Sequence, residues 1–176
     1  MNRNNEPGNP VASGKEILRE EAEALRRIAD RLDEEFGKAV AAMRRCRGKI
    51  IISGMGKSGI IGQKIAATLA STGTTAIFLH PADAAHGDLG IVSEGDVIIC
   101  LSKSGTTEEL NFIIPALRRK KIVIIAMTGN RRSYLAGNAD IVLDTGVEQE
   151  ACPFDLAPTT SICQRSEERR VGKECR

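Results

Sequence analysis

The side chains able to do chemistry in this 176-residue sequence fall in four short strings. Gly54-Met-Gly-Lys-Ser-Gly59 fits the pattern GxGxxG and sets Lys57 and Ser58 where a helix should open. A lysine there could stabilise an oxyanion or hold a ligand hydroxyl; a plain glycine turn with an exposed lysine is the bland alternative. Ser102-Lys-Ser-Gly-Thr-Thr107 puts the hydroxyls of Ser102, Ser104, Thr106 and Thr107 around Gly105, just ahead of Glu108 and Glu109. Backbone N–H groups and hydroxyls at the positive end of a helix make a phosphate cradle, against the simpler reading as a Ser/Thr N-cap. Glu109 beside it could move a proton or merely compensate the helix dipole. His80 and His86, the only histidines, could polarise or ring-open a sugar, or tie down their loop. Six positions apart, they fit no standard zinc motif. Glu150, ahead of Ala-Cys-Pro, is a second candidate carboxylate.

Two familiar nucleotide sites are disfavoured. A dinucleotide site needs an acidic residue at the end of the second strand, where this chain has His80-Pro81. Gly56-Lys57-Ser58 is no P-loop, because position 51 is Ile rather than Gly. A nicotinamide-dependent oxidoreductase therefore rests on residues 54–59 alone.

The elements that must position these residues follow from the hydrophobic period. Apolar residues from Leu18 to Met43 recur at intervals of three and four, which predicts one amphipathic helix over about 15–45. Such a long helix suits packing against a partner subunit. Residues 1–13, rich in Asn, Pro and Gly, read as a flexible start. Short β-branched runs at 49–53, 75–79, 97–101, 122–127 and 141–143 predict five strands, with helices over 58–71 and 107–119 and a bend at Pro115. Continuous Val/Ile runs suit strands buried on both faces, hence an α/β, three-layer, doubly wound fold with a parallel sheet. Ligands of such folds sit beyond the carboxyl ends of the strands.

Composition narrows the field further. Hydrophobic residues at 41% and charged residues at 27% describe a globular chain. Aromatic scarcity, with four Phe, one Tyr and no Trp, argues against single-stranded nucleic acid. The net charge of +2 comes from residues 165–176; without them the chain carries twenty charges of each sign, so no phosphate-backbone footprint is visible. No apolar run approaches a membrane span and no secretory signal opens the chain. Five widely spaced cysteines, without a CxxC pair, favour a reducing cytoplasm over a disulfide framework.

The strings GMGKSGIIGQKIAATLASTGT (54–74), FLHPADAAHGDLG (78–90), SKSGTTEEL (102–110) and EACPFDLAPTTS (150–161) together resemble the sugar isomerase (SIS) domain, and within it the arabinose-5-phosphate isomerases. The resemblance places an SIS domain over 14–162 and implies a five-stranded parallel sheet assembled as a homotetramer. It implies reversible conversion of D-arabinose 5-phosphate to D-ribulose 5-phosphate, feeding Kdo and lipopolysaccharide synthesis, with no cofactor required. By similarity, Lys57, His86, Glu109 and Glu150 match catalytically relevant positions. Gly73, Thr74, His80 and His86 match substrate-contacting ones, and His80 also a metal-contact (zinc) position. Ser58 and the turn Ser102, Ser104, Gly105, Thr106 and Thr107 complete the expected sugar-phosphate contacts.

The chain also departs from the family pattern. Where a long helix and a Ser-His-Pro-Gly-Gly segment would follow, it runs into ICQRSEERRVGKECR, and 163–176 reads as a non-native charged tail. With no third histidine, the expectation is weak or absent turnover by residues 1–176. The main rival is a non-catalytic SIS module that senses a sugar phosphate, which would need neither His86 nor Glu150. An isomerase of hexulose or heptose phosphates is a further one.

Overall fold

Runs of branched aliphatic residues build the centre of the molecule, described over residues 9–146 by a computed structural model. Strands β1 (Ile50–Gly54), β2 (Ala76–Phe78), β3 (Val97–Leu101), β4 (Val123–Thr128) and β5 (Ile141–Asp144) form one sheet. Every pairing is parallel and the order is β2-β1-β3-β4-β5. Ile51 stands opposite Ile77 on one side and Ile98 on the other, and Ile98 opposite Ile124. Ile51, Ile98 and Ile124 have no exposed surface, each worth about 2 kcal/mol in transfer from water.

Alternation sorts these strands onto two cores. Ile51, Ile98, Cys100, Ile124 and Ala126 face one side, covered by Leu110, Ile113, Ile114 and Leu117 of α5 (Glu108–Arg119). Ile50, Ile52, Val97, Ile99, Ile125 and Met127 face the other, covered by α2 (Glu34–Arg45) and α3 (Gly56–Ser71). Helix, sheet and helix make the three layers that the continuous Val/Ile runs predict. Burial also pushes the Cys100 thiol up to about 12.

The amino-terminal helix differs from expectation. It starts earlier, as α1 (Pro10–Arg31), with Asn9 Oδ1 accepting the Val11 N–H at 3.0 Å and Pro10 opening the first turn. It is also two helices, not one. Leu32 turns extended (ψ 123°) and Asp33 caps α2, its Oδ1 accepting the Glu35 N–H at 3.0 Å. The period of three and four survives this break, so periodicity alone could not reveal it. The connection after β2 contains α4 (Pro81–Ala85) and a 3-10 turn (Asp88–Ile91), and α6 (Tyr134–Asn138) precedes β5. Pro115 lies inside α5, which continues to Arg119. Glu150 and the tail 163–176 lie outside the described residues.

Candidate active site at the carboxyl edge of the sheet

In the order β2-β1-β3-β4-β5, successive connections leave from opposite sides between β1 and β3, opening a crevice beyond their carboxyl ends. Two helices start there. The turn after β1 feeds α3, and the turn after β3 feeds α5.

The glycines of the first turn have separate duties. Gly56 takes φ +52°, a left-handed conformation that other residues rarely adopt. A Cβ on Gly59 would stand 2.6 Å from the Gly54 carbonyl oxygen, so only glycine lets α3 start this close to β1. The result is a helix N-terminus with Met55 at its cap, no side-chain cap, no acidic residue in the first turn, and Lys57 exposed within it. A cation at the positive end of a helix opposes the macrodipole. Stability does not explain Lys57; an anionic ligand would.

The second turn is braced from within. Ser102 Oγ lies 2.8 Å from Thr107 Oγ1 and accepts the Gly105 N–H at 3.0 Å. Ser104 Oγ accepts from both the amide and the hydroxyl of Thr106, at 3.2 and 2.9 Å. Ser102 is only 2% exposed, so its hydroxyl frames the loop, whereas Ser104 and Thr106 face solvent and Thr107 is half-buried. The Thr107 side chain does not cap α5, which leaves first-turn N–H groups beside exposed Glu108 and Glu109.

A third segment locks this turn, and sequence reasoning missed it. Lys103 carbonyl oxygen accepts from Gly129 N at 2.9 Å and Thr128 Oγ1 at 3.4 Å, while Gly105 carbonyl oxygen accepts from Leu135 N at 3.2 Å. Ser133 caps α6, its Oγ accepting from Ala136 N at 3.2 Å. The string Thr128-Gly-Asn130 directly after an apolar run was the available signal.

His80 and His86 cap the two ends of α4, His80 half-buried and His86 exposed. Because β2, β1 and β3 are neighbours, roughly 5 Å apart, the turns carrying His80, Lys57 with Ser58, and the 102–109 segment share one edge of the sheet. Gly73 and Thr74 do not join them. They precede β2, where Ile50 N donates to Thr75 O, and so lie at the opposite, amino edge of the sheet.

His80 Nδ1 is buried without a hydrogen-bond partner, and the ring meets Phe78 edge-on at 6.4 Å between centroids. A resident zinc needs three or four protein ligands. Among the described residues no group of three His, Cys, Asp or Glu gathers at His80 or elsewhere. No described helix is long and apolar enough to cross a membrane.

The sequence model of the SIS domain matches residues 43–165. Arabinose 5-phosphate isomerase KdsD of Yersinia pestis is 49% identical over 149 residues, covering 85% of this chain and 45% of that protein. Arabinose 5-phosphate isomerase GutQ of Escherichia coli K12 is 50% identical over 149 residues, covering 85% and 46%. The chain thus spans about half the length of the curated relatives it matches. A protein of E. coli CFT073 solved in complex with arabinose 5-phosphate superposes with a TM-score of 0.88 at 34% identity, covering 99% of this chain and 93% of that one.

Proposed function

We propose, from the premise that this chain belongs to the SIS domain family, that it binds arabinose 5-phosphate in the β1/β3 crevice and carries residues that interconvert it with ribulose 5-phosphate, with turnover by residues 1–176 alone weak or absent. The observation that carries the reading is the pair of helix N-termini without side-chain caps on adjacent strands, one with Lys57 and one with a hydroxyl-lined turn. Such a pair favours a dianionic phosphate. The relatives' activity supports the choice of pentose.

The chemistry asks little more of the protein. The phosphate docks on Ser104, Thr106, Thr107 and backbone N–H groups, fixing the reactive carbons over the crevice. A carboxylate removes the proton from C2 and a proton returns at C1, through an enediol whose oxyanion Lys57 stabilises. Glu109 and Glu150 are the two candidates for that carboxylate, and His86 assists ring opening. No electron leaves the substrate, so no redox cofactor enters the scheme.

We further infer self-association. Val11 and Leu18, seven residues apart on one face of α1, are 63% and 67% exposed, an apolar contact suited to a second copy and to a tetramer. Sedimentation velocity tests this: Leu18→Glu lowers the mass if α1 is the contact.

A colorimetric ketose assay on arabinose 5-phosphate, with calorimetry of its binding, tests the main proposal. Turnover, or saturable binding lost in Lys57→Ala, supports it. Absence of both overturns it.

A further inference from the structure

At the amino edge of the sheet, the chain leaves α2 for β1 and α5 for β4 beside one another. A cavity of about 450 Å3 opens there, lined among others by Lys38, Arg45, Arg47, Asp96 and Lys121. Four of these five are cations. The single carboxylate is already engaged: Asp96 Oδ1 accepts from Lys49 N at 2.9 Å, and Oδ2 accepts from Lys49 Nζ at 2.7 Å and Ser93 N at 2.8 Å. Lys38 pairs with Glu35 at 2.6 Å. Among the described residues Arg45, Arg47 and Lys121 make no ion pair.

Dipole compensation accounts for only part of this charge. Basic residues in the last turn of a helix are favourable, and Arg44, Arg45, Arg118 and Arg119 hold such positions. Arg47 and Lys121 directly follow the caps Cys46 and Lys120, just outside the last turn in which the dipole acts most strongly. Lys121 is also the one non-glycine among the described residues with positive φ, at 55°. Glycine ordinarily takes this place after a helix, so the lysine is kept at a cost in backbone strain.

We propose that this cavity is a second anion site, for a small molecule carrying at least two adjacent phosphate-type charges. The volume lies in the range of small-molecule pockets. Two guanidinium groups with an ammonium match phosphate oxygens, which arginine can engage in bidentate fashion. Three unpaired cations would be left two-thirds uncompensated by a single negative charge. The site is distinct from the crevice: β3 begins at the cavity with Val97 and ends at Leu101, before the Ser102 turn, a run of roughly 15 Å.

Pyrophosphate titrated into the full 176-residue chain at constant ionic strength tests this, followed by calorimetry and by the amide resonances of Gly48 and Gly95. The expected result is saturable binding that shifts both amides, weakened at least tenfold by the triple substitution Arg45→Ala, Arg47→Ala, Lys121→Ala. Inorganic phosphate should bind at least tenfold more weakly, and Ser104→Ala in the crevice should leave pyrophosphate at these amides unchanged. Lys121→Gly, which removes charge and strain together, should fold at least as well as the parent and still lose affinity. Absence of saturable binding, binding lost in Ser104→Ala and untouched by the triple variant, or association between copies that the triple variant abolishes while no anion binds, would each overturn the proposal.

Discussion

Gly105 and Ser133 stand so close that a Cβ built on Gly105 would overlap the Ser133 hydroxyl. Gly105 also holds φ +67°. Gly105→Ala should therefore cost about 2 kcal/mol or more, from strain and overlap together. Thermal unfolding measures it. Adding Ser133→Gly should restore most of the part due to overlap and leave the part due to φ. The recovery falls short by roughly a few tenths of a kcal/mol for the lost α6 cap and the remaining contact with Thr128 Oγ1. An unchanged midpoint for Gly105→Ala alone would contradict this view of the turn.

Ser102→Ala removes the acceptor of the buried Gly105 N–H and the partner of Thr107. An unsatisfied buried donor costs about 1–3 kcal/mol. Because the hydroxyl frames the turn, the substrate-binding constant should weaken more than the turnover number falls. The opposite split would place Ser102 in contact with the reacting carbons.

Removing the candidate base or the cation should strike turnover itself. Glu109→Gln or Glu150→Gln, whichever carboxylate serves, is expected to lower kcat by about a hundredfold or more, and Lys57→Ala by a similar factor. Full turnover in both glutamine variants would rule out the scheme.

Asp96 gives a pH signature. Burial alone would raise its carboxyl, but the bonds from Lys49 Nζ, Lys49 N and Ser93 N outweigh burial and hold it below the ordinary carboxylate value. Its folded pKa lies below its unfolded one, so its stabilisation is complete above the unfolded value of about 3.9 and is lost as pH falls through the folded value. Asp96→Asn should flatten the acid limb of the stability curve in that window. At neutral pH it should cost roughly 3 kcal/mol, the order found for breaking a buried pair. Denaturant titrations at pH 7 and pH 3 give both numbers.

Among the described cysteines, Cys100 is buried with its thiol pushed up to about 12, while Cys46 is half-buried at the end of α2. Brief alkylation at pH 8 followed by peptide mass spectrometry should label Cys46 and spare Cys100 until the chain unfolds. Equal labelling of the two would mean that the sheet centre opens readily.

The sheet was legible because its runs are short, β-branched and continuous, and all five strands fall within a residue or two of where those runs predict them. The two turns of the crevice were legible for a related reason: glycine and hydroxyl residues directly follow a buried run. Other features were hidden by physics that spacing does not carry. The helix break at Leu32–Asp33 preserves the apolar period, so only the Asp33 cap marks it. The bracing by Thr128, Ser133 and Leu135 joins segments far apart in sequence, and no local pattern announces such contacts. Burial of Ser102 likewise depends on β4 beside it, since its N–H donates to Met127 O.

The two outermost strands are also the shortest, β2 with three residues and β5 with four. A rim so abbreviated leaves few dangling amides and carbonyls for a foreign chain to zip onto. Among the described residues, a short rim on both sides of so aliphatic a sheet works against edge-to-edge pairing between copies.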